Sequence, residues 1–248
     1  MTIQDTFKTS LWMHTAVQAP DIKQLNINCS TEVVIVGAGF TGLSAALHLS
    51  EMGCKVTVLE AEEIGFGASG RNGGQVNPGL KIDPDVLLNR FGVKKASHIF
   101  SATESSADFV FDLVKRYNLN CEFKRTGFIY ASENKNMLNK SRLRVEWLKK
   151  IGVKAELLDS NETAKRIGHQ IYSGSIYDPR GGALNPLSYV RELASAALTK
   201  GVKIYSNSAA LSLKKTEDSW KIATKEGTII ADKVILCTNA YTNLVSGN

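Results

Sequence analysis

Residues 33–60 constrain the fold of this chain more than any other stretch of its sequence. The β-branched run Val33 to Val36 predicts a strand that is buried on both faces, as in a parallel sheet. Apolar residues at helical spacing follow and end at Gly53, and the segment KVTVLE, residues 55–60, predicts a second strand. A strand, a helix and a strand in this order form a βαβ unit, so the sequence predicts an α/β protein with a parallel sheet.

The turn between the first strand and the helix has the sequence GAGFTG, which supplies the first candidate binding residues: Gly37, Ala38, Gly39, Phe40, Thr41 and Gly42. Glycines at this spacing allow backbone to approach a pyrophosphate, and the helix N-terminus offers N–H groups to it. Glu60, at the end of the second strand, can accept hydrogen bonds from ribose hydroxyls, which favours FAD or NAD over NADP. A glycine-rich turn that binds nothing is the simpler alternative.

A second glycine-rich segment, GFGASGRNGGQVNPG, occupies residues 65–79. It is too rich in glycine for a helix and too polar for a buried strand. A domain that binds only NAD has no need of such a loop, whereas FAD must pass close to backbone with its extended pyrophosphate and ring. The segment therefore favours FAD and makes an NAD-dependent dehydrogenase the weaker alternative. For Arg71 and Asn72, the alternative to cofactor binding is a solvated turn.

In combination, GAGFTG and LEAEEIGFGASGRNGGQ resemble the amino-terminal part of the D-amino-acid-oxidase-like (DAO) FAD-dependent oxidoreductases, the family of glycine oxidase and sarcosine oxidase. Within it, the string ASGRNGGQ is most similar to that of the gamma-glutamylputrescine oxidoreductases. The resemblance covers residues 30–248. It implies a Rossmann-type FAD-binding domain with an inserted α+β portion of a substrate domain. Because family members continue beyond residue 248, the chain is expected to be the amino-terminal portion of a longer enzyme.

The resemblance also implies particular cofactor contacts. Glu60 would bind the adenosine ribose, Ser69 and Arg71 would lie near the pyrophosphate and ribityl chain, and Ala210 would contact adenine through its backbone. The segment from Asn72 to Gln75 would lie against the flavin ring. The candidate FAD-binding residues beyond the GAGFTG turn are therefore Glu60, Ala61, Gly67, Ala68, Ser69, Arg71, Asn72, Gly73, Gly74, Gln75, Ala210, Thr238, Asn239 and Ala240.

The activity implied by the resemblance is oxidation of the C–N bond of an amine or amino acid to an imine, with gamma-glutamylputrescine as one candidate substrate. Oxygen would reoxidise the flavin and give hydrogen peroxide. No catalytic residue is assigned. Arg180 follows Tyr177 and Asp178 in a polar loop and could pair with a substrate carboxylate, although a surface arginine is the commoner outcome. The alternative function is an inactive or incomplete FAD-binding fragment.

The same reading predicts three regions: an N-terminal arm or short helix over residues 1–30, a discontinuous FAD-binding domain over 31–82 and 186–248, and the inserted substrate-domain portion over 83–185. Within the FAD-binding domain, Asn185 and Pro186 predict the start of a helix that ends at Gly201. Strands are predicted at 123–131 and at 233–237, among others.

Composition excludes several other classes. The formal charge is +6 but the basic residues are scattered, which argues against nucleic acid as a partner. The four cysteines form no CxxC pair and no signal peptide precedes them, which predicts free thiols and a cytoplasmic protein. The four histidines lack ligand spacing, so no metal site is expected. Three glycines interrupt the most apolar stretch, residues 33–49, so no membrane span is expected.

Overall fold

The computed structural model describes residues 9–80, 82 and 84–247. Residues 1–8 of the predicted arm, and residues 81, 83 and 248 of the predicted domains, lie outside this part of the chain. Its α-helices are α1 (Leu11–Thr15), α2 (Phe40–Glu51), α3 (Pro84–Glu104), α4 (Ser106–Arg116), α5 (Lys135–Lys150), α6 (Ser160–Ile167) and α7 (Pro186–Thr199). Two short 3₁₀ helices, Ala68–Gly70 and Asn239–Leu244, complete the helical elements of the described residues.

The strands within the same residues are β1 (Cys29–Val36), β2 (Val56–Leu59), β3 (Gln75–Val76), β4 (Phe128–Ser132), β5 (Glu156–Asp159), β6 (Gly174–Asp178), β7 (Gly182–Ala183), β8 (Lys203–Tyr205), β9 (Ser212–Lys215), β10 (Trp220–Ala223), β11 (Thr228–Leu236) and β12 (Ser246–Gly247).

The chain divides into two compact units. The first contains the described residues up to Gly73, the segment Tyr117–Glu122 and the described residues from Asn185 onward. Its sheet has seven strands in the order β12-β9-β10-β11-β1-β2-β8. Strands β11, β1, β2 and β8 run parallel; β10 pairs antiparallel with β11, β9 pairs antiparallel with β10, and β12 pairs parallel with β9. This sheet confirms the predicted α/β fold.

The core of the first unit forms around β1, whose last four residues are buried. Val34 and Ile35 are fully inaccessible to solvent, as expected for a central strand with both faces covered. Helices α2 and α7 pack against each other. Asn185 caps α7 because its side-chain oxygen accepts a hydrogen bond from Ser188 N at 3.0 Å, and proline occupies the first turn.

An arm without regular structure connects α1 to β1 in this unit. Although it forms no strand, Leu25 is fully buried in the hydrophobic core of the sheet. The Leu25 backbone N–H donates to Ser208 Oγ at 2.9 Å, and Ser206 Oγ donates to Ile22 O at 2.8 Å. The arm is therefore fixed to the unit by both apolar packing and hydrogen bonds.

The second unit comprises Gly74–Arg116 and Phe123–Leu184. It contains an antiparallel sheet in the order β4-β6-β5 and a two-stranded sheet of β3 and β7. Buried hydroxyl pairs join its elements: Ser132 Oγ lies 2.9 Å from Ser141 Oγ, and Thr163 Oγ1 lies 2.8 Å from Ser175 Oγ. No helix in the described part of the chain is long and apolar enough to cross a membrane.

Several strands differ from the sequence prediction in their bounds; β1, for example, begins at Cys29 and not at Val33. The strand predicted at 123–131 is shorter and begins at Phe128. The strand predicted at 233–237 begins earlier, at Thr228, because its register with β1 starts at the pair Cys29 and Ile229. Residues 228–231 pair with β10, the preceding strand of the same hairpin, and residues 229–231 also pair with β1, two hundred positions away. A local pattern contains only the first of these partners. Assigning cofactor binding to one region and substrate binding to another stays a prediction.

Candidate functional site

The GAGFTG turn lies between β1 and α2, where the sequence placed it. Gly37 has φ 105°, a left-handed conformation that favours glycine, and its N–H donates to Leu59 O at 2.7 Å. A Cβ on Gly37 would lie 2.6 Å from Cys237 O. A Cβ on Gly42 would overlap the carbonyl oxygen of Gly37. The turn is thus held between β2 and the end of β11, and neither glycine has room for a side chain.

The first turn of α2 faces a hydroxyl from the second glycine-rich loop. Gly39 is the N-cap residue and supplies no side chain, and Phe40 N donates to Ser69 Oγ at 3.1 Å. A Cβ on Gly39 would lie 2.9 Å from Ser69 Oγ, so the two loops approach each other closely. Helix N-termini carry N–H groups without intrahelical partners and a partial positive charge, which suit a phosphate.

Glu60 lies immediately after β2, and its carboxylate is held beside the same turn. Ala38 N donates to Glu60 Oε2 at 2.8 Å and Glu62 N donates to Glu60 Oε1 at 3.1 Å. Burial raises the pKa of the Glu60 carboxyl, and the backbone N–H groups of Ala38, Glu62 and Ala61 oppose that rise. The structure therefore brings the acidic residue and the GAGFTG backbone into direct contact.

The second glycine-rich loop packs against α7. A Cβ on Gly65 would overlap the side chain of Leu187 and lie 2.9 Å from Val190 Cγ1. A Cβ on Gly70 would overlap the carbonyl oxygen of Gly65. The short 3₁₀ helix Ala68–Gly70 is therefore pressed onto the helix, and Ser69 is carried to the start of α2.

Arg71 and Asn72 organise the end of this loop. The guanidinium of Arg71 lies over the Phe66 ring, 4.3 Å from its centroid. Asn72 Nδ2 donates to Ala68 O at 3.2 Å and to Ser69 O at 3.0 Å. These contacts close the loop on itself, a role for Asn72 that the sequence analysis did not propose.

Other glycines of the loop face open space. Among the residues that the structure describes, a Cβ on Gly73 would have no neighbour within 4 Å, and one on Gly67 would meet only the Tyr241 ring at 3.8 Å. Glycine at these two positions is not required by packing within the described residues. Space beside the backbone is what a bound dinucleotide needs, so both positions fit the predicted cofactor.

The segment after β11 returns to the first turn. Cys237 N donates to Val36 O at 2.8 Å, and a Cβ on Gly37 would lie 3.4 Å from Thr238 N. Asn239 and Ala240 follow in the 3₁₀ helix Asn239–Leu244. Ala210 lies between β8 and β9 and is buried in the core cluster of the sheet.

Gly74 and Gln75, the last predicted residues of the loop, belong to the second unit. Gly74 O accepts a hydrogen bond from Leu184 N at 2.9 Å, and Gln75 pairs with Ala183 in the two-stranded sheet. The structure therefore gathers the GAGFTG turn, Glu60, Ser69 and Thr238 within the first unit. Contact of any of the predicted residues with a cofactor stays a prediction.

Arg180 was considered as a partner for a substrate carboxylate, and the structure gives it a different role. Its Nη1 lies 2.7 Å from Glu104 Oε2 and its Nη2 lies 2.6 Å from Asp178 Oδ2. The Arg180 side chain is 16% exposed, so it is not a surface arginine either. Because two carboxylates already engage the guanidinium, Arg180 joins β6 to the end of α3.

The second unit also contains a cavity of about 370 Å³ beside this ion cluster. Its lining includes Tyr130, Met137, Lys140 and Arg144. Arg144 Nη2 donates to Leu80 O at 2.5 Å. The volume is in the range of small-molecule sites. The sequence does not indicate this cavity, because the lining residues come from β4, α5 and the loop after β3, which are separated along the chain.

Comparison with known proteins gives one family match that covers most of the chain. The model of the family described as DAO, FAD dependent oxidoreductase, matches residues 32–248. Among the similar relatives, the gamma-glutamylputrescine oxidoreductase of Escherichia coli (strain K12) is 34% identical over 88% of this chain and 51% of its own length. The probable oxidoreductase OrdL of Haemophilus influenzae is 32% identical over 92% of this chain and 52% of its own length.

Solved structures share the fold at lower sequence identity. The L-amino acid deaminase of Proteus myxofaciens matches with a TM-score of 0.77 at 20% identity, over 92% of this chain and 49% of that one. The glycine oxidase of Geobacillus kaustophilus matches with a TM-score of 0.70 at 18% identity, over 84% of this chain and 55% of that one. The chain therefore spans about half the length of the relatives that it matches.

Proposed function

Since the chain belongs to the DAO family of FAD-dependent oxidoreductases, as its glycine-rich motifs predicted, we propose that it binds FAD in the first unit and contributes to oxidation of a C–N bond in an amine or amino acid. The observation that supports this most is the arrangement of three features within one unit. The second half of the GAGFTG motif forms the start of α2. The Glu60 carboxylate and the Ser69 hydroxyl both accept hydrogen bonds from the backbone of the motif.

The proposed contacts follow from the chemistry of those groups. The N–H groups at the start of α2 would hold the pyrophosphate, with Ser69 beside them. Glu60 accepts hydrogen bonds from backbone N–H groups in the structure, and it would accept them from ribose hydroxyls in the same way. The open backbone at Gly67 and Gly73 would allow close approach of the remaining cofactor, with Arg71 supplying positive charge nearby.

In the proposed reaction, bound FAD supplies the acceptor for a hydride from the carbon next to the amine nitrogen, and oxygen then takes the two electrons and two protons to give hydrogen peroxide. The protein would orient a neutral amine so that this C–H bond faces the cofactor. The resulting imine is hydrolysed by water. Gamma-glutamylputrescine is the specific substrate that we propose to test first, because a relative named for it is 34% identical to this chain.

A second candidate function is FAD binding without turnover by this chain alone. The observation that favours it is length, because the chain spans 51% of the gamma-glutamylputrescine oxidoreductase. The residues that would bind the substrate are not identified, and Arg180 is already engaged by two carboxylates. The two candidates share the cofactor and differ only in catalysis.

Cofactor binding is tested by titrating the purified chain with FAD and, separately, with NAD, following quenching of flavin fluorescence and of protein fluorescence. We expect FAD to bind and NAD not to compete. Glu60→Ala should weaken FAD binding at least tenfold, because hydrogen bonds to a charged group contribute about 1.5–3 kcal/mol each. Asp232→Ala, which removes an exposed carboxylate of β11 in the same unit, is the matched control. Failure of the wild-type chain to bind FAD would overturn the proposal.

Catalysis is tested with the FAD-loaded chain and a panel of amines and amino acids that includes gamma-glutamylputrescine. Hydrogen peroxide and the carbonyl product are both measured, because together they establish the electron balance. Turnover that requires FAD supports the enzymatic candidate. Tight FAD binding without turnover by any member of the panel supports the second candidate.

A further inference from the structure

Helix α1, which precedes the arm leading to β1, makes a direct contact with the second glycine-rich loop. Trp12 Nε1, in α1, donates a hydrogen bond to the backbone oxygen of Asn72 at 2.9 Å. The two residues are sixty positions apart in the sequence. The acceptor is a backbone carbonyl, so this contact fixes the course of the loop rather than the rotamer of one side chain.

Helix α7 anchors the arm close to this contact. Arg191 Nη1 donates to Val17 O at 2.7 Å, and Arg191 Nη2 lies 3.4 Å from Met13 Sδ. Val17 N donates to Ser188 Oγ at 3.1 Å. The Arg191 residue is 6% exposed, and burial lowers the pKa of its guanidinium. A buried guanidinium is costly unless it is hydrogen-bonded. Detaching the arm would remove hydrogen bonds of Arg191, so these contacts favour the attached arm.

The same helix supports the opposite side of the loop. Leu187 and Val190 lie where a side chain on Gly65 would be, and Leu187 also lies 2.9 Å from the Cβ position of Gly70. Helix α7 therefore contacts the loop directly. It also holds α1 and the arm that follows it, and Trp12 of α1 reaches the end of the loop. The segment 65–72 is therefore held at its start by α7 and at its end by Trp12 of α1, which is itself attached to α7.

We propose that Trp12 is a positioning residue for the FAD-binding loop, keeping the backbone at Asn72 in its binding conformation before the cofactor arrives. This inference rests on the proposed function, because it assigns the loop to FAD. A loop that is already ordered loses less conformational freedom when a ligand binds, so its affinity for that ligand is higher. Trp12 would thus raise FAD affinity without itself contacting FAD.

The test is Trp12→Phe, which keeps an aromatic ring and removes the N–H donor. Loop order is measured first without FAD, as the initial rate of tryptic cleavage after Arg71, identified by mass spectrometry. FAD affinity is then measured by fluorescence titration. We expect faster cleavage after Arg71 and FAD binding about three- to tenfold weaker, the range that corresponds to loss of one hydrogen bond. Far-ultraviolet circular dichroism establishes that the variant is folded.

Trp220→Phe is the matched control, because it makes the same chemical change in β10 of the same unit. It should leave both the cleavage rate after Arg71 and the FAD affinity as in the wild type. Trp12→Phe with an unchanged cleavage rate, or with unchanged FAD affinity, overturns the inference. If the wild type binds no FAD, the proposed function fails, whereas the cleavage rates still report whether Trp12 orders the loop.

Discussion

In both glycine-rich turns of the first unit, a glycine packs on the carbonyl oxygen of the glycine five residues before it, but the two turns lead to different structures. In the first turn a Cβ on Gly42 would overlap Gly37 O, and in the second a Cβ on Gly70 would overlap Gly65 O. Each turn therefore folds back on itself across five residues. The first turn starts a helix, whereas the second is pressed against α7 and then continues to Gly73, where a Cβ would meet no atom of the described residues within 4 Å.

This difference separates glycines that packing requires from glycines that leave space. Gly37, Gly42, Gly65 and Gly70 are surrounded by backbone and apolar side chains, and their role is structural whether or not a ligand binds. Among the described residues Gly73 has no such neighbours, and we propose that its lack of a side chain leaves space for the cofactor. Substitutions at the packed positions should therefore lower stability, whereas a substitution at the open position should leave stability nearly unchanged and weaken FAD binding.

The largest effect is expected for Gly42→Ala and Gly70→Ala. Each new Cβ would overlap a backbone carbonyl oxygen, which cannot move without shifting the turn. We expect each variant to lose about 2 kcal/mol of unfolding free energy, as overpacked sites do, measured by urea denaturation. For Gly42 this loss must exceed the gain of about 1 kcal/mol in helix propensity. A variant as stable as the wild type would show that the turn relaxes easily.

A smaller effect is expected where the two turns meet. Ser69→Ala removes the hydroxyl that accepts from Phe40 N at 3.1 Å. Loss of such an acceptor at a helix start should cost about 1 kcal/mol of unfolding free energy. Ser30→Ala, at an exposed position of β1, serves as the control. Equal stability of the two variants would mean that the turns fold independently of this bond.

The carboxylate between the turns should affect how stability changes with pH. Burial raises the pKa of Glu60 above its ordinary 4.5, so the native state binds its proton more tightly than the unfolded state does. Its contribution to stability is therefore greatest at low pH and is lost as pH rises from 4.5 through the native pKa. The cofactor-free Glu60→Gln variant should lack this decline when urea midpoints are compared across that interval. The same slope in both proteins would contradict the assignment.

The smallest effect on stability, and a distinct effect on binding, is expected for Gly73→Ala. Because the new Cβ has no neighbour within 4 Å in the described part of the chain, the unfolding free energy should stay within about 0.5 kcal/mol of the wild type. FAD binding should nevertheless weaken, since the methyl group enters the space assigned to the cofactor. A destabilisation as large as that of Gly42→Ala, or unchanged FAD affinity, would remove the distinction between the two kinds of glycine.

Much of the site could be predicted because its residues are close in sequence or follow a spaced motif. The GAGFTG turn, the helix after it and Glu60 lie within 24 residues, and the continuous β-branched run Val33 to Val36 indicates a buried strand. The contacts of Trp12 with Asn72 and of Phe66 with Arg71 could not be predicted, because each forms only once the loop has folded. No residue pattern distinguishes these aromatic residues from ordinary core residues.

The sequence by itself determined the α/β fold, the parallel sheet and the family, since alternation of strand and helix and glycine spacing are local properties of a chain. Tertiary structure alone decided that Gly37 packs against Cys237 and Gly65 against Leu187, that Arg180 is engaged by Glu104, and that α1 reaches Asn72. The physical reason is distance along the chain. Contacts between residues tens to hundreds of positions apart depend on how elements pack, and packing is fixed by the whole core rather than by any one motif.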